Sequence, residues 1–209
     1  MNPDTQLFLD INDFARATGW LHGVVSAYAD YGIVVFAALI LAAWWIARRR
    51  ANTSMMAAAV WAPLGMLVAL GVNQPIAALV GEPRPYEVLP DLLVLAHVTQ
   101  DPSFPSDHAV MAGAVAAGVF VLSRRLGVLA GLAAAAMAFA RVYIAAHYPQ
   151  DVLAGLLLGA AVSLVGFWLV CRVLVWLLVL VERTPLRPLL TTADTATLAE
   201  PLTADARRN

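Results

Sequence analysis

The chain has 209 residues, 61% of them hydrophobic and 13% charged, with a mean hydropathy of +0.76. Soluble domains hold roughly 45–50% apolar residues, so this composition points to a membrane solvent. A formal net charge of -1 without any large basic cluster excludes a nucleic-acid partner. All 13 basic residues are arginine, so no chemistry here rests on lysine. The single cysteine, Cys171, permits neither an intrachain disulfide nor a cysteine metal cluster.

In chain order, residues 1–13 carry Asp4, Asp10 and Asp13 and no arginine, unlike the basic start of a secretory signal. Leu7, Phe8, Ile11 and Phe14 recur at helical spacing. They predict an amphipathic helix within residues 1–20 that either lies in the membrane interface or packs on the bundle. Five apolar segments follow, at about residues 24–47, 53–80, 109–123, 126–146 and 152–181. A spanning helix needs roughly 17–25 residues; the third segment is short by that measure, and the first contains Asp30. The expected fold is all-α, an integral-membrane helix bundle with about five transmembrane helices and an N-terminal amphipathic helix. Residues 1–183 form one membrane domain.

Arginines mark the segment ends. Arg48, Arg49 and Arg50 join the first two segments, Arg124 and Arg125 join the third and fourth, and Arg183 and Arg187 follow the fifth. Short cytoplasmic loops retain positive charge, so these three sites define the cytoplasmic side of a multi-pass plasma-membrane protein. The N-terminus, the loop over residues 81–107 and the turn over residues 147–151 are then external. Residues 184–209, polar and threonine-rich, form a disordered cytoplasmic tail.

Three polar blocks therefore share the external face: Glu82-Pro83-Arg84-Pro85, Phe104-Pro105-Ser106-Asp107-His108, and the stretch from Arg141 through His147 to Asp151. Arg141 interrupts an uncharged segment, where an ionisable residue is costly and faces a partner or a water-filled cavity. His147 and Asp151 flank Pro149, which suits the first turn of the last helix. A carboxylate there can accept a hydrogen bond from one imidazole nitrogen and leave the other free to attack, which makes His147 an activated nucleophile. Pro105 suits a helix start, whose free backbone N–H groups, that of Asp107 among them, favour an anion. Ser106 adds a hydroxyl donor and His108 can protonate a departing oxygen. Arg84, framed by two prolines, offers a planar fork for phosphate oxygens.

These blocks resemble the type 2 phosphatidic acid phosphatase superfamily, whose pattern is Lys-x6-Arg-Pro, then Pro-Ser-Gly-His, then Ser-Arg-x5-His-x3-Asp. Here the third block reads Ala140-Arg141-x5-His147-x3-Asp151, with only the leading serine changed. The stretch from Ser103 to His108, with Asp107 where glycine is common, is similar to the undecaprenyl-diphosphate phosphatases associated with bacitracin resistance. The resemblance implies a phosphohistidine on His147, oriented by Asp151, with His108 as general acid and with Arg84, Arg141 and Ser106 on phosphate oxygens. It implies no metal and no cofactor. Two positions depart from the pattern: Ala77 stands where the family has lysine, and Glu82 where many members carry a second arginine. Both departures imply a phosphate pocket short of positive charge. Asn73 and Gln74, near the outer end of the second segment, either compensate as phosphate ligands or bind neighbouring helices. His97 is expected to be a surface histidine of the external loop.

The leading expectation is a membrane enzyme that hydrolyses a polyprenyl diphosphate, of undecaprenyl or decaprenyl type, to the monophosphate. The alternatives are a phosphatase for a glycerolipid phosphate such as phosphatidylglycerol phosphate, and a catalytically impaired lipid-binding or transport protein. The expected partners are a lipid phosphate or diphosphate and the bilayer. Oligomeric state has no signature in the sequence.

Overall fold

A computed structural model describes residues 2–191. Its regular structure is helical: α1 (Pro3–Ala17), α2 (His22–Tyr31), α3 (Ile33–Arg50), α4 (Thr53–Val80), the single turn α5 (Pro85–Val88), α6 (Asp107–Leu122), α7 (Arg124–Tyr143) and α8 (Pro149–Val181). By length and apolar character three helices, α4, α7 and α8, can each cross a membrane, and α2 with α3 supplies a fourth span bent by 53°. The fifth apolar element, α6, has 16 residues. At 1.5 Å per residue it is about 24 Å long, short for a lone span. It needs no lipid-facing length, because α4, α7 and α8 pack around it and bury Val110, Ala112, Ala114 and Val115 completely.

The expected first segment, continuous over residues 24–47, is broken at Gly32. A Cβ there would lie 2.4 Å from the Tyr28 carbonyl and 2.6 Å from Met137 Cε. Only glycine admits this close approach, which seats α2 on α7 with Tyr28 donating to the Ala133 carbonyl at 2.8 Å. The α6–α8 contact also depends on absent side chains. A Cβ on Gly159 would fall 2.0 Å from the Val110 carbonyl, and one on Gly113 would fall 2.3 Å from that of Leu156. Small residues that let helix backbones meet replace the hydrophobic driving force that lipid cannot supply. The outer face of α8 presents Leu153, Leu157, Leu164, Trp168 and Trp176 to the bilayer.

Helix α1 begins with Asn2 capping the Asp4 N–H and Pro3 in its first turn. Its inward face buries Phe8, Asn12 and Ala15, with Phe8 stacked on Tyr148 at a centroid distance of 5.3 Å. Asn12 both donates to Leu93 O and accepts from Leu93 N. Leu95 and Ala96 N–H groups donate to Ile144 O. The long loop over residues 89–106 is thereby tied to α1 and to the end of α7 without regular structure of its own. At the opposite end of the bundle, Trp44 donates to Leu189 O and Arg48 to Pro188 O. The ordered chain thus continues past Arg183 through a 3-10 turn at Arg187–Leu189. The rest of the expected tail, residues 192–209, lies outside the described residues.

Candidate active site

One end of the bundle holds a cavity of about 450 Å³. The N-terminus of α6, the C-terminus of α7, the turn into α8 and the loop over residues 89–106 converge on it. Arg84, His108, Arg141 and His147 line it together, although up to 63 positions separate them in the chain.

His147 occupies the turn between α7 and α8, where Ala145 takes a left-handed φ of 63° and the Ala146 N–H closes onto Arg141 O at 3.1 Å. The imidazole is 2% exposed. Its Nδ1 lies 2.8 Å from Ser103 O. A carbonyl can only accept, so Nδ1 carries the proton and Nε2 keeps its lone pair. That lone pair faces Arg84 Nη1 and Arg141 Nη2, each at 3.4 Å. Burial, and then the positive charges of Arg141 and Arg84, hold the His147 pKa well below 6.5. The ring is therefore neutral at physiological pH.

The expected direct hydrogen bond from His147 to Asp151 is replaced by a relay. Asp151 Oδ2 stands 3.8 Å from Nδ1, beyond hydrogen-bonding reach. It accepts instead from Ser103 Oγ at 2.5 Å and Tyr148 N at 2.8 Å. Ser103 therefore joins the pair, its carbonyl setting the tautomer while its hydroxyl holds the carboxylate. Ser103 carried no sequence signal as a site residue, because neither periodicity nor charge marks a serine in an irregular loop.

The other expected phosphate ligands divide. Arg141 Nε and Ser106 Oγ are both buried without a hydrogen-bond partner, but of the two residues only Arg141 lines the cavity, while Ser106 is fully buried behind it. Arg84 is 5% exposed and already engaged with Asp101. The Asn73 amide is committed: it donates to Pro105 O at 3.1 Å and to Asp107 Oδ1 at 2.7 Å. Gln74 also donates to Asp107, though it does line the cavity. Of the two arrangements expected for this pair, the structure shows contact with a neighbouring helix, through the Asp107 carboxylate at the start of α6. Ala77 lines the cavity, as expected of a vacated lysine position, but Glu82 does not. The Glu82 side chain accepts from Gln150 Nε2 at 3.0 Å, near Asp4 and away from the arginines. Only the first of the two expected charge deficits therefore touches the cavity. His97 is exposed as expected, yet it lies on the cavity wall and pairs with Asp30 at 3.6 Å.

A neutral histidine between two arginines, in a cavity at one end of an apolar helix bundle, suits a phosphatase that takes a lipid-borne substrate. The chain belongs to the PAP2 superfamily, whose profile matches residues 58–174, and it is a multi-pass membrane lipid phosphatase. It is 32% identical to the bacitracin transport permease protein BcrC of Bacillus licheniformis, over 77% of each chain. It is 27% identical to the undecaprenyl-diphosphatase BcrC of Bacillus subtilis, over 78% of this chain and 81% of that one. Among solved structures it is similar to LpxE of Aquifex aeolicus, with a TM-score of 0.53 and 25% identity over 80% of this chain and 96% of the other. The fold also matches a PAP2-type phosphatidylglycerolphosphate phosphatase of Bacillus subtilis, with a TM-score of 0.60 and 20% identity over 80% and 87% of the two chains.

Proposed function

We propose that this phosphatase removes the terminal phosphate of a polyprenyl diphosphate, of undecaprenyl or decaprenyl type, through a phosphohistidine on His147. The observation that carries the reading is the placement of His147 Nε2, unprotonated and at 3.4 Å from each guanidinium, between Arg84 and Arg141 at the cavity wall. Attack by Nε2 forms an N–P bond to the terminal phosphorus and breaks the P–O bond to the inner phosphate. The prenyl monophosphate leaves, its oxygen protonated by His108. Water then gives a proton back to His108 and its oxygen to phosphorus, cleaving the N–P bond, releasing orthophosphate and restoring both histidines. Arg141, Arg84 and Ser106 hold the transferring oxygens, assisted by the first backbone N–H groups of α6, that of Asp107 among them. Curated relatives named as undecaprenyl-diphosphatases support this substrate class. The arginines at the end of α3, at the start of α7 and just after α8 support an orientation with the cavity at the external face and the C-terminus in the cytoplasm.

The test is phosphate release by purified protein from undecaprenyl diphosphate, phosphatidylglycerol phosphate and phosphatidate, for wild type beside His147→Ala. The expected result is a preference for the prenyl diphosphate, abolished by the substitution. Preference for a glycerolipid would move the assignment to that substrate class. Equal release by the variant would remove His147 from the chemistry.

A further inference from the structure

Arg84 and Arg141 meet the cavity in different states. Arg141 directs Nη2 at His147 and leaves Nε unpartnered. Arg84 has its side-on fork filled by one residue: Nε donates to the Asp101 carbonyl at 3.0 Å and Nη2 to the Asp101 carboxylate at 2.7 Å. Its Nη1 donates to Ala146 O at 3.0 Å and faces His147 at 3.4 Å. A guanidinium has five N–H donors, and these contacts leave Arg84 one. Carboxylate and phosphate oxygens seek the same fork. The two partners differ in freedom as well: the Arg84 side chain is 6% exposed and that of Asp101 58%. The guanidinium is fixed, whereas the carboxylate, held also by the Thr99 side chain, stands at the rim with room to move.

We propose that Asp101 is an internal competitor for the phosphate-binding donors of Arg84, its carboxylate leaving Nη2 as the substrate phosphate enters and reseating as orthophosphate departs. The contact thus limits retention of the product. Asp30 and Asp107 line the same cavity and oppose a dianion in the same sense, with no lysine at position 77 to offset them. The proposal rests on the reading of the cavity as a phosphate site.

The test uses the full-length protein and orthophosphate as probe, with its affinity measured by calorimetry and as competitive inhibition. Asp101→Asn keeps the backbone contact and an uncharged acceptor for Nη2, and Asp101→Ala removes the side-chain contact altogether. Orthophosphate should bind about fivefold tighter to each, the scale of one half-exposed ion pair. KM for the lipid should fall alongside while kcat does not rise, because product leaves more slowly. Melting temperature without phosphate identifies a misfolded Asp101→Ala, in which case Asp101→Asn alone decides. Unchanged or weaker orthophosphate binding by Asp101→Asn would make the residue a positioning group for Arg84 and overturn the proposal. Failure of the underlying reading looks different: wild type itself would bind no orthophosphate.

Discussion

Replacing Asp151 by asparagine separates the carboxylate's charge from its place in the turn. The amide oxygen can accept from Ser103 Oγ and Tyr148 N as Oδ2 does, while the amide nitrogen takes the buried position of Oδ1, which has no partner. The fold is therefore expected to survive. When Nε2 bonds to phosphorus the imidazole becomes cationic, with its other proton on Nδ1, 3.8 Å from Oδ2. Opposite charges at about 4 Å interact by about 4 kcal/mol at an effective dielectric constant of roughly 20. Each 1.4 kcal/mol or so is tenfold in rate, so kcat should fall by about a thousandfold. Asp151 does not line the cavity, and KM should stay within about twofold. Steady-state release with a single-turnover measurement separates the two parameters. A kcat loss below about tenfold, or a KM change with kcat intact, would refute charge stabilisation and leave Asp151 a structural cap.

The acid limb of kcat/KM should report His147 and fall well below pH 6.5, since burial and the two arginines depress its pKa; in the residual activity of Arg141→Gln that limb should move up toward 6.5. Glu82 is raised above its ordinary value of 4.5 by burial and then by the charges of Asp151 and Asp4. Its stability contribution is therefore present below pH 4.5 and lost as pH rises through the folded pKa. Glu82→Gln should raise the melting temperature slightly at neutral pH, the carboxylate being largely screened by solvent, with the gain gone in acid. Gly159→Ala should cost upwards of about 3 kcal/mol or prevent folding, because its Cβ meets backbone rather than a movable side chain. Gly131→Ala, with nothing within 4 Å, should be neutral in the same thermal assay.

Apolar run length was enough to read the long helices in order, because bilayer thickness acts on local sequence. The bend at Gly32 was not legible: it depends on Tyr28 and Met137, the second of which comes from another helix. Within the site, Arg84, His108, Arg141, His147 and Asp151 stood out as ionisable residues in apolar surroundings. Ser103 and Asp101 did not, since their importance arises only when an irregular loop folds over the cavity; Asp30 was visible as a charge in the first apolar segment, but not as a neighbour of the cavity. Asn73 stood open between two roles for a related reason. A polar side chain near a helix end announces a hydrogen bond but not its partner, and Asp107, 34 residues away, takes it.

The charge around the cavity bears on how such a site selects its substrate. Two arginines face three carboxylates there, Asp30, Asp101 and Asp107, so a free phosphate ester finds little net attraction. A lipid substrate does not depend on that attraction alone, because each buried methylene contributes about 0.8 kcal/mol to its partition into the bilayer. Confinement in the membrane raises its effective concentration at a cavity that opens among the helix ends. Orthophosphate, once cleaved, has no tail to hold it and faces the same carboxylates. Weak headgroup binding therefore costs little for a membrane-anchored substrate and speeds release of the soluble product. The lysine position vacated at Ala77 acts in the same direction. Ala77→Lys should lower KM for soluble phosphate esters more than for prenyl diphosphate and increase inhibition by orthophosphate; equal effects on both substrate types would refute the argument.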